Sequence, residues 1–338
     1  MVNYWPTMKK KILQTIKKRD MLKKGMHVII GLSGGPDSVC LFDVLGEMAQ
    51  EMDWQLSAVH VNHGLRPVAA DEDQRYVEEL CATKKVPCHI YEVDCTAMAR
   101  ELSMTSEEAG RKARYDAFSR TAEKLHGQGV AKEDIAIALA HNANDQAETV
   151  MFRILRGTGT DGLYGIPYTR LDEKGFRIVR PILDIDREDI EKYCLQRNLD
   201  PRIDHTNAQN IYTRNKIRNM LIPYIQENFN ENIIEALNRL GKVAAEDRDF
   251  MRGEALKAYE KALLVEESGD DTAEGKITLR TESLRQLHRA VRIRVYTIAL
   301  NRVGMVQNMT YAQADGVEAV FMSESPSAMY DLAENIRC

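Results

Sequence analysis

The chain has 338 residues, 29% charged and 44% hydrophobic, with a formal net charge of −5. That is an ordinary globular balance, long enough for two domains, and the overall charge does not advertise nucleic-acid binding, so local basic clusters matter more than the sum. No apolar run approaches membrane-spanning length, and residues 1–13 lack the continuous apolar core of a signal peptide, which implies a soluble, cytoplasmic protein with no membrane partner. The six cysteines, Cys40, Cys81, Cys88, Cys95, Cys194 and Cys338, include no C-x-x-C pair. That spacing argues against a zinc ribbon, an iron–sulfur site or a redox pair. Cys81 falls in a predicted helix and Cys88 in a predicted strand, so the two are expected to share no face.

Residues 8–22 read as a basic amphipathic helix. Ile12, Leu13 and Ile16 form its apolar stripe, and Lys9, Lys10, Lys11, Lys17, Lys18 and Arg19 crowd the rest. The basic face is either a solvated surface or an edge that meets RNA phosphates. Residues 28–32 follow as a short β-branched run, a buried strand. It leads into Ser33-Gly34-Gly35-Pro36-Asp37-Ser38 and then a helical apolar pattern. Strand, glycine turn and helix in that order hold a phosphate. The glycines let the backbone approach an anion, the amides of the first helical turn face it, and Pro36 suits that turn because it has no N–H to leave unpaired. Ser33 and Ser38 add hydroxyl donors. No lysine follows the glycines, so this is not the common nucleotide-binding loop. The carboxylate of Asp37 beside phosphates makes sense if Mg²⁺ lies between them.

Beyond the loop, predicted strands at 56–61, 89–93, 135–140 and 176–182 alternate with predicted helices at 70–84, 106–124, 145–155 and 187–197. The alternation argues for an α/β, doubly wound parallel sheet, with ligands at the carboxyl ends of its strands. Those ends carry Asn62-His63-Gly64-Leu65-Arg66 after the second strand and His141-Asn142-Ala143-Asn144-Asp145 after the fourth. Arg111 and Arg114 share a helix face, and Arg114 reads as a guanidinium fork poised to stabilise developing charge. The segment 156–163 carries three glycines, a lid, an RNA-contacting loop or a plain helix-ending loop. Arg214, Lys216 and Arg218 beside Tyr212 form a candidate phosphate and base contact set, or a helix-capping network. Residues from about 231 onward are helical in pattern. The stretch 265–275 is acidic and reads as a solvated loop, and 283–303 as a helix carrying Arg285, Arg289, Arg292, Arg294 and Arg302. This second part reads as a small helical domain whose basic helix docks RNA or is solvated.

The S-G-G-P-D-S loop resembles that of the ATP pyrophosphatases, enzymes of the PP-loop superfamily. With it stand V-N-H-G-L-R, E-E-A-G-R-K-A-R-Y, A-H-N-A-N-D-Q-A-E-T, R-G-T-G-T-D-G-L, R-P-I-L, and D-H-T-N with Y-T-R-N-K-I-R. In that order they resemble the bacterial tRNA(Ile)-lysidine synthetases, over residues 25–330. The resemblance implies a Rossmann-like, adenine nucleotide alpha hydrolase-like domain at 25–218. The basic helix at 1–24 precedes it, and a helical tRNA-contacting domain at 219–338 follows. The family's further C-terminal domain would begin about where the chain ends.

The resemblance also implies a reaction, the ATP-dependent ligation of L-lysine to C2 of the wobble cytidine of a tRNA(Ile) with CAU anticodon. The cytidine is adenylated first, and pyrophosphate and AMP leave in turn. Catalysis would fall to Asp37, Arg114 and Asp145, ATP to Ser33, Gly34, Gly35, Pro36, Asp37 and Ser38, and Mg²⁺ to Asp37 and Asp145. His63, His141 and Glu148 would line the lysine or cytidine pocket. Arg214, Lys216 and Arg218 would contact tRNA, and a homodimer is common in the family. Asn142 and Asn144 depart from the family pattern, where a histidine and an aspartate are frequent, as does Asn62, where many members have a charged residue or a histidine. A tRNA thiolase on the same scaffold and a non-catalytic ATP-binding module are the competing readings.

Overall fold

The structure is a computed structural model that describes residues 4–64, 67–202, 213–267, 275–305, 309–325, 327–332 and 336–338. It divides into two compact units, Met1–Gly241 and Lys242–Cys338.

The first unit is built on a sheet of six strands, β1 (His27–Gly31), β2 (Gln55–Asn62), β3 (Cys88–Glu92), β4 (Ile135–Ala138), β5 (Thr169–Leu171) and β6 (Arg177–Val179), in the order β3-β2-β1-β4-β6-β5. All neighbours run parallel except β5, which pairs antiparallel with β6 at the edge. Helices α1 (Tyr4–Lys18), α2 (Pro36–Met52), α3 (Pro67–Lys84), α4 (Cys95–Glu101), α5 (Ser106–Gly127), α6 (Ala143–Leu155) and α7 (Arg187–Gln196) belong to this unit. So does a run made of α8 (Thr213–Lys216), a π-helical turn (Ile217–Leu221) and α9 (Ile222–Asn228).

Both faces of β1 are buried, as a central parallel strand requires. Val28 and Ile30 join one core with Ile12 and Ile16 of α1, Phe42 of α2 and Ile190 of α7. Ile29 joins the other, where Ala109, Ala113 and Ala117 make a small-residue stripe down α5 beside Phe118. Gly31 ends β1 because a Cβ there would lie 2.8 Å from Phe118 Cζ. The N-terminal helix is thus part of the sheet domain. Two of its lysines form surface pairs, Lys9 with Glu51 and Lys11 with Asp189.

The sheet reverses its winding between β1 and β4, which are direct neighbours, and that switch point is where such sheets bind ligands. Three further differences from the expected elements are local. A three-residue strand, β5, is too short to leave a periodic signal. The turn Lys85–Pro87 folds the end of α3 back over the start of β3, so Cys81 and Cys88 do meet, and their thiols hydrogen-bond. The unit boundary falls at 241/242 rather than 218/219, because α8 and the π turn are tied to α6.

The second unit holds the end of α10 (Ile233–Ala262), the hairpin β7 (Leu263–Glu267) with β8 (Lys276–Leu279), α11 (Thr281–Arg285), α12 (Arg289–Arg302) and α13 (Tyr311–Met322). The part of the expected acidic loop that lies in 265–267 is strand, and 268–274 lie outside the described residues. The single helix expected at 283–303 is two, because the His288 backbone is extended and its ring accepts the Ala290 amide as an N-cap. Here the arginines of α12 meet acids. Arg289 pairs with Asp315, Arg292 with Glu318, and Arg302 with Glu266. Tyr296 donates to Glu318 at 2.8 Å.

Candidate active site at the switch point

The loop after β1 is braced from within. Gly34 sits at φ +91°, a conformation that favours glycine. The Ser38 hydroxyl donates to Gly35 O at 3.0 Å and accepts the Ser33 amide at 3.2 Å, so it shapes the loop and is buried. Ser33 is exposed. The Val39 amide is the first of α2 to find an acceptor, Gly35 O, which leaves the Asp37 and Ser38 amides at the positive end of a 17-residue helix.

The turn after β4 meets this loop through Asn142, which is fully buried. Its side-chain oxygen accepts the Asp145 amide at 3.0 Å, and the Asp145 carboxylate accepts the Asn142 amide at 3.1 Å, a capping box that starts α6. Its Nδ2 donates to Asp37 Oδ1 at 2.8 Å. One asparagine therefore joins the two motifs. Asn144 has a separate role, since its Oδ1 accepts the Arg187 amide at the start of α7. Both of these departures from the family pattern are thus hydrogen-bonded structural positions.

Asp37 and Asp145 share a negative field. Burial first, and then the charge of Asp145, push the Asp37 carboxyl up to about 6, against the opposing pull of Asn142, Arg187 and Arg218. Burial also works against the Asp145 charge, but Arg214, Arg218 and the hydrogen bond from the Asn142 amide together outweigh it and hold its carboxyl below the usual range. Asp145 Oδ1 accepts Arg214 Nη2 at 3.1 Å and Arg218 Nη2 at 3.0 Å. Glu148, three residues on along α6 and 1% exposed, accepts Arg214 Nε at 3.0 Å and Arg218 Nε at 2.6 Å. Two carboxylates and two guanidiniums form a closed, neutral set. A π-helical turn carries Arg218, a backbone irregularity common at functional sites. Lys216 faces solvent. Tyr212 and 204–207 lie outside the described residues, as do Leu65 and Arg66.

His141 accepts Arg180 Nε on Nδ1 at 3.2 Å. That bond places the ring proton on Nε2 and makes His141 a neutral donor. Burial first, then Arg180, push its pKa down to about 3. His63 lies beyond β2 with Nδ1 3.2 Å from Cys95 Sγ, and burial, followed by Arg114, pushes it down to about 4. Arg114 on α5 donates to Gly110 O and has no carboxylate partner among the described residues. Its side chain is exposed.

The donor set suits a hard cation at Asp37. One of its oxygens takes Asn142, and its pKa is raised first by burial and then by the neighbouring charge of Asp145. Mg²⁺ typically binds through one or two carboxylates together with substrate phosphates and water. Asp145 offers less, since Arg214, Arg218 and the Asn142 amide already take both oxygens. No group of three or more His, Cys, Asp or Glu with metal-holding geometry occurs among the described residues.

Residues 5–225 match the PP-loop domain. An alignment with tRNA(Ile)-lysidine synthase of Geobacillus kaustophilus, 30% identical over 329 residues, covers 97% of this chain and 68% of that protein. The chain belongs to the PP-loop family, among the relatives of tRNA(Ile)-lysidine synthase. Proteins of that name from Clostridioides difficile and Clostridium perfringens are 38% identical over 293 residues and 45% identical over 259. The chain spans 60% and 53% of their respective lengths. Among solved structures, a U34-tRNA thiolase from Methanococcus maripaludis superposes with a TM-score of 0.56 at 19% identity, over 71% of this chain and 80% of that one, a likeness of fold.

The described geometry brings Asp37, Asp145, Glu148, His141, Arg214 and Arg218 to one rim, with Arg114 and His63 adjoining each other beside it. Sequence reading missed Asn142 as the bridge and Arg180 as the residue that orients His141. The signal for Asn142 was present, an Asn three residues before an Asp at a helix start. No helix among the described residues is long and apolar enough to cross a membrane.

Proposed function

We propose that this chain carries out the lysidine reaction, in which ATP activates the wobble cytidine of a tRNA(Ile) with CAU anticodon at O2 and the ε-amine of L-lysine then displaces AMP at C2. The observation that supports it most is the hydrogen bond from Asn142 to Asp37, which sets a phosphate loop and an acid pair side by side on one rim. Relatives named for this reaction match nearly the whole chain. The Asp37 and Ser38 amides and the positive end of α2 would hold the pyrophosphate that leaves. Asp37 would hold Mg²⁺ with the phosphates, and the ion would neutralise charge there. Arg114, whose guanidinium has no carboxylate partner among the described residues, would stabilise the charge that develops on adenylation. His141 would donate through Nε2. Lysine enters as a cation, and Asp145 with Glu148 is the acid pair on the rim. Its ammonium would reach Glu148 only by displacing Arg214 or Arg218.

The test is AMP release from ATP labelled at the α-phosphate, with Mg²⁺, the unmodified tRNA and L-lysine each omitted in turn. Requirement for every component, with lysine appearing in the tRNA, is the expected result. Adenylation of tRNA without lysine transfer, or ATP cleavage that ignores tRNA, would overturn the reading. In the same assay Asp37→Asn should abolish AMP formation while the fold survives.

A further inference from the structure

Three guanidinium groups converge on one tyrosine beside the rim. Tyr115 lies on α5, one residue past Arg114. Arg111, a turn earlier, places its guanidinium carbon 5.0 Å from the Tyr115 ring centroid, and Arg170 of β5 stands 4.9 Å from the same centroid. Arg111 donates to the Tyr115 hydroxyl at 3.5 Å, and Arg170 and Arg180 also hydrogen-bond to it. Arg180 is 2% exposed, and its other partners are His141 Nδ1 and Pro167 O. Arg111 is exposed and Arg170 half-buried.

Among the described residues, none of these three arginines forms an ion pair with a carboxylate. Arg214 and Arg218 on the same rim, by contrast, both do. Burying a cation without a counter-ion is costly, and like charges around one ring repel. The strain shows at Arg180, where burial first, and then Arg170 and Arg111, weaken the hold on its proton. At Tyr115 the same three cations outweigh burial and pull the phenol below its usual range.

An anion brought by a ligand completes this cluster. ATP has its own cradle at the loop after β1. Planar guanidiniums laid on an aromatic ring offer both charge and a flat surface, which suits a nucleic-acid strand better than a lone phosphate. The cluster also adjoins His141, whose pKa is depressed by both Arg180 and Arg111. We propose that Arg111, Tyr115 and Arg170, floored by Arg180, cradle a backbone phosphate of the RNA next to the base that enters the rim. This rests on the tRNA-modifying reading and adds to it where the strand lies.

The experiment uses the intact chain and its Arg111→Gln/Arg170→Gln double variant, neither residue belonging to the catalytic set above. Binding of an isoleucine tRNA transcript with CAU anticodon is measured by filter retention between about 50 and 200 mM salt. ATP affinity and thermal melting are measured alongside. The expected result is roughly tenfold weaker RNA binding at low salt and a log–log salt slope shallower by about one to two, with ATP affinity and melting unchanged. An unchanged slope in the variant, with the wild type binding normally, would overturn the cradle alone. Loss of ATP affinity in place of RNA affinity would also overturn it, because the cluster would then serve the nucleotide. A wild-type chain that binds no tRNA would sink the tRNA-modifying reading and the cradle with it.

Discussion

Arg214 and Arg218 approach the rim from one side and meet Asp145 and Glu148 in a set whose charges cancel. Arg111, Arg170 and Arg180 gather beside the same histidine around Tyr115 and meet no carboxylate among the described residues. The first cluster is complete in the free protein, so it acts as structure until a ligand competes for its acids. The second gathers like charges around one ring, and the proposed phosphate would offset them. Basic residues in a sequence look alike, and their meaning lies in whether the fold has already neutralised them. By that criterion the paired arginines of α12 belong with the first kind.

The largest effect should come from breaking the closed cluster. Glu148→Gln leaves two guanidiniums facing Asp145 alone, and removing one partner from a buried charge network costs about 3–5 kcal/mol. Urea unfolding should register a loss of that order. A double-mutant cycle of Glu148→Gln with Arg218→Ala should return a coupling above roughly 1 kcal/mol. A loss below that figure for Glu148→Gln would mean that solvent already screens the cluster, and the contrast between the two arginine groups would collapse.

A smaller effect, with a defined pH window, is expected at Asp37. Its carboxyl is raised from an ordinary value of 3.8 to about 6, chiefly by burial and next by Asp145. The native state therefore holds this proton more tightly than the unfolded chain does. The resulting stability is fully present below pH 3.8 and is lost as the pH rises through 6. Asp37→Asn keeps the acceptor for Asn142 and removes the buried charge. It should melt higher than wild type at pH 7.5, by on the order of 1 kcal/mol once solvent screening is allowed for. The difference should close below about pH 4. Mg²⁺-dependent ATP binding by the wild type should weaken as the pH falls through 6. A difference in melting that did not depend on pH would place the effect in packing and not in the shared field with Asp145.

How far the sequence led can be judged at particular residues. The strands β1, β2 and β4 were legible because each is a largely apolar run ended by a polar cluster, and those clusters gave the rim. Arg214 and Arg218 were legible as a basic cluster, but their acceptors lie 66 to 73 residues away in the chain. No local pattern reports that pairing, which leaves both arginines half-buried against α6. Asn142 stood out in the sequence only as a departure from the family pattern. Its capping geometry was readable, whereas its reach across to Asp37 depends on β4 lying next to β1. Arg180 entered only as the first residue of the R-P-I-L piece and Arg170 not at all, since their meeting at Tyr115 depends on the β5–β6 edge.

The smallest effect should come from the open cluster, and its sign carries the information. Removing an exposed or half-buried arginine normally changes stability by less than about 0.5 kcal/mol in either direction. Arg170→Gln takes away one of three mutually repelling charges, so at low ionic strength it should leave the free protein as stable as wild type or slightly more so. Added salt screens charges over about 10 Å at 0.1 M and about 3 Å at 1 M, so the gain should fade as salt rises. The loss of the contact with the Tyr115 ring works the other way, by about 0.5–1 kcal/mol for a cation over an aromatic face. Arg170→Lys keeps the charge and surrenders much of that planar contact, and comparing the two variants in thermal melts separates the terms. If Arg170→Gln destabilises more than Arg170→Lys at every salt concentration, the charge at position 170 is already compensated within the free chain. The cluster would then be closed like the one on α6, with no vacancy for a phosphate to fill.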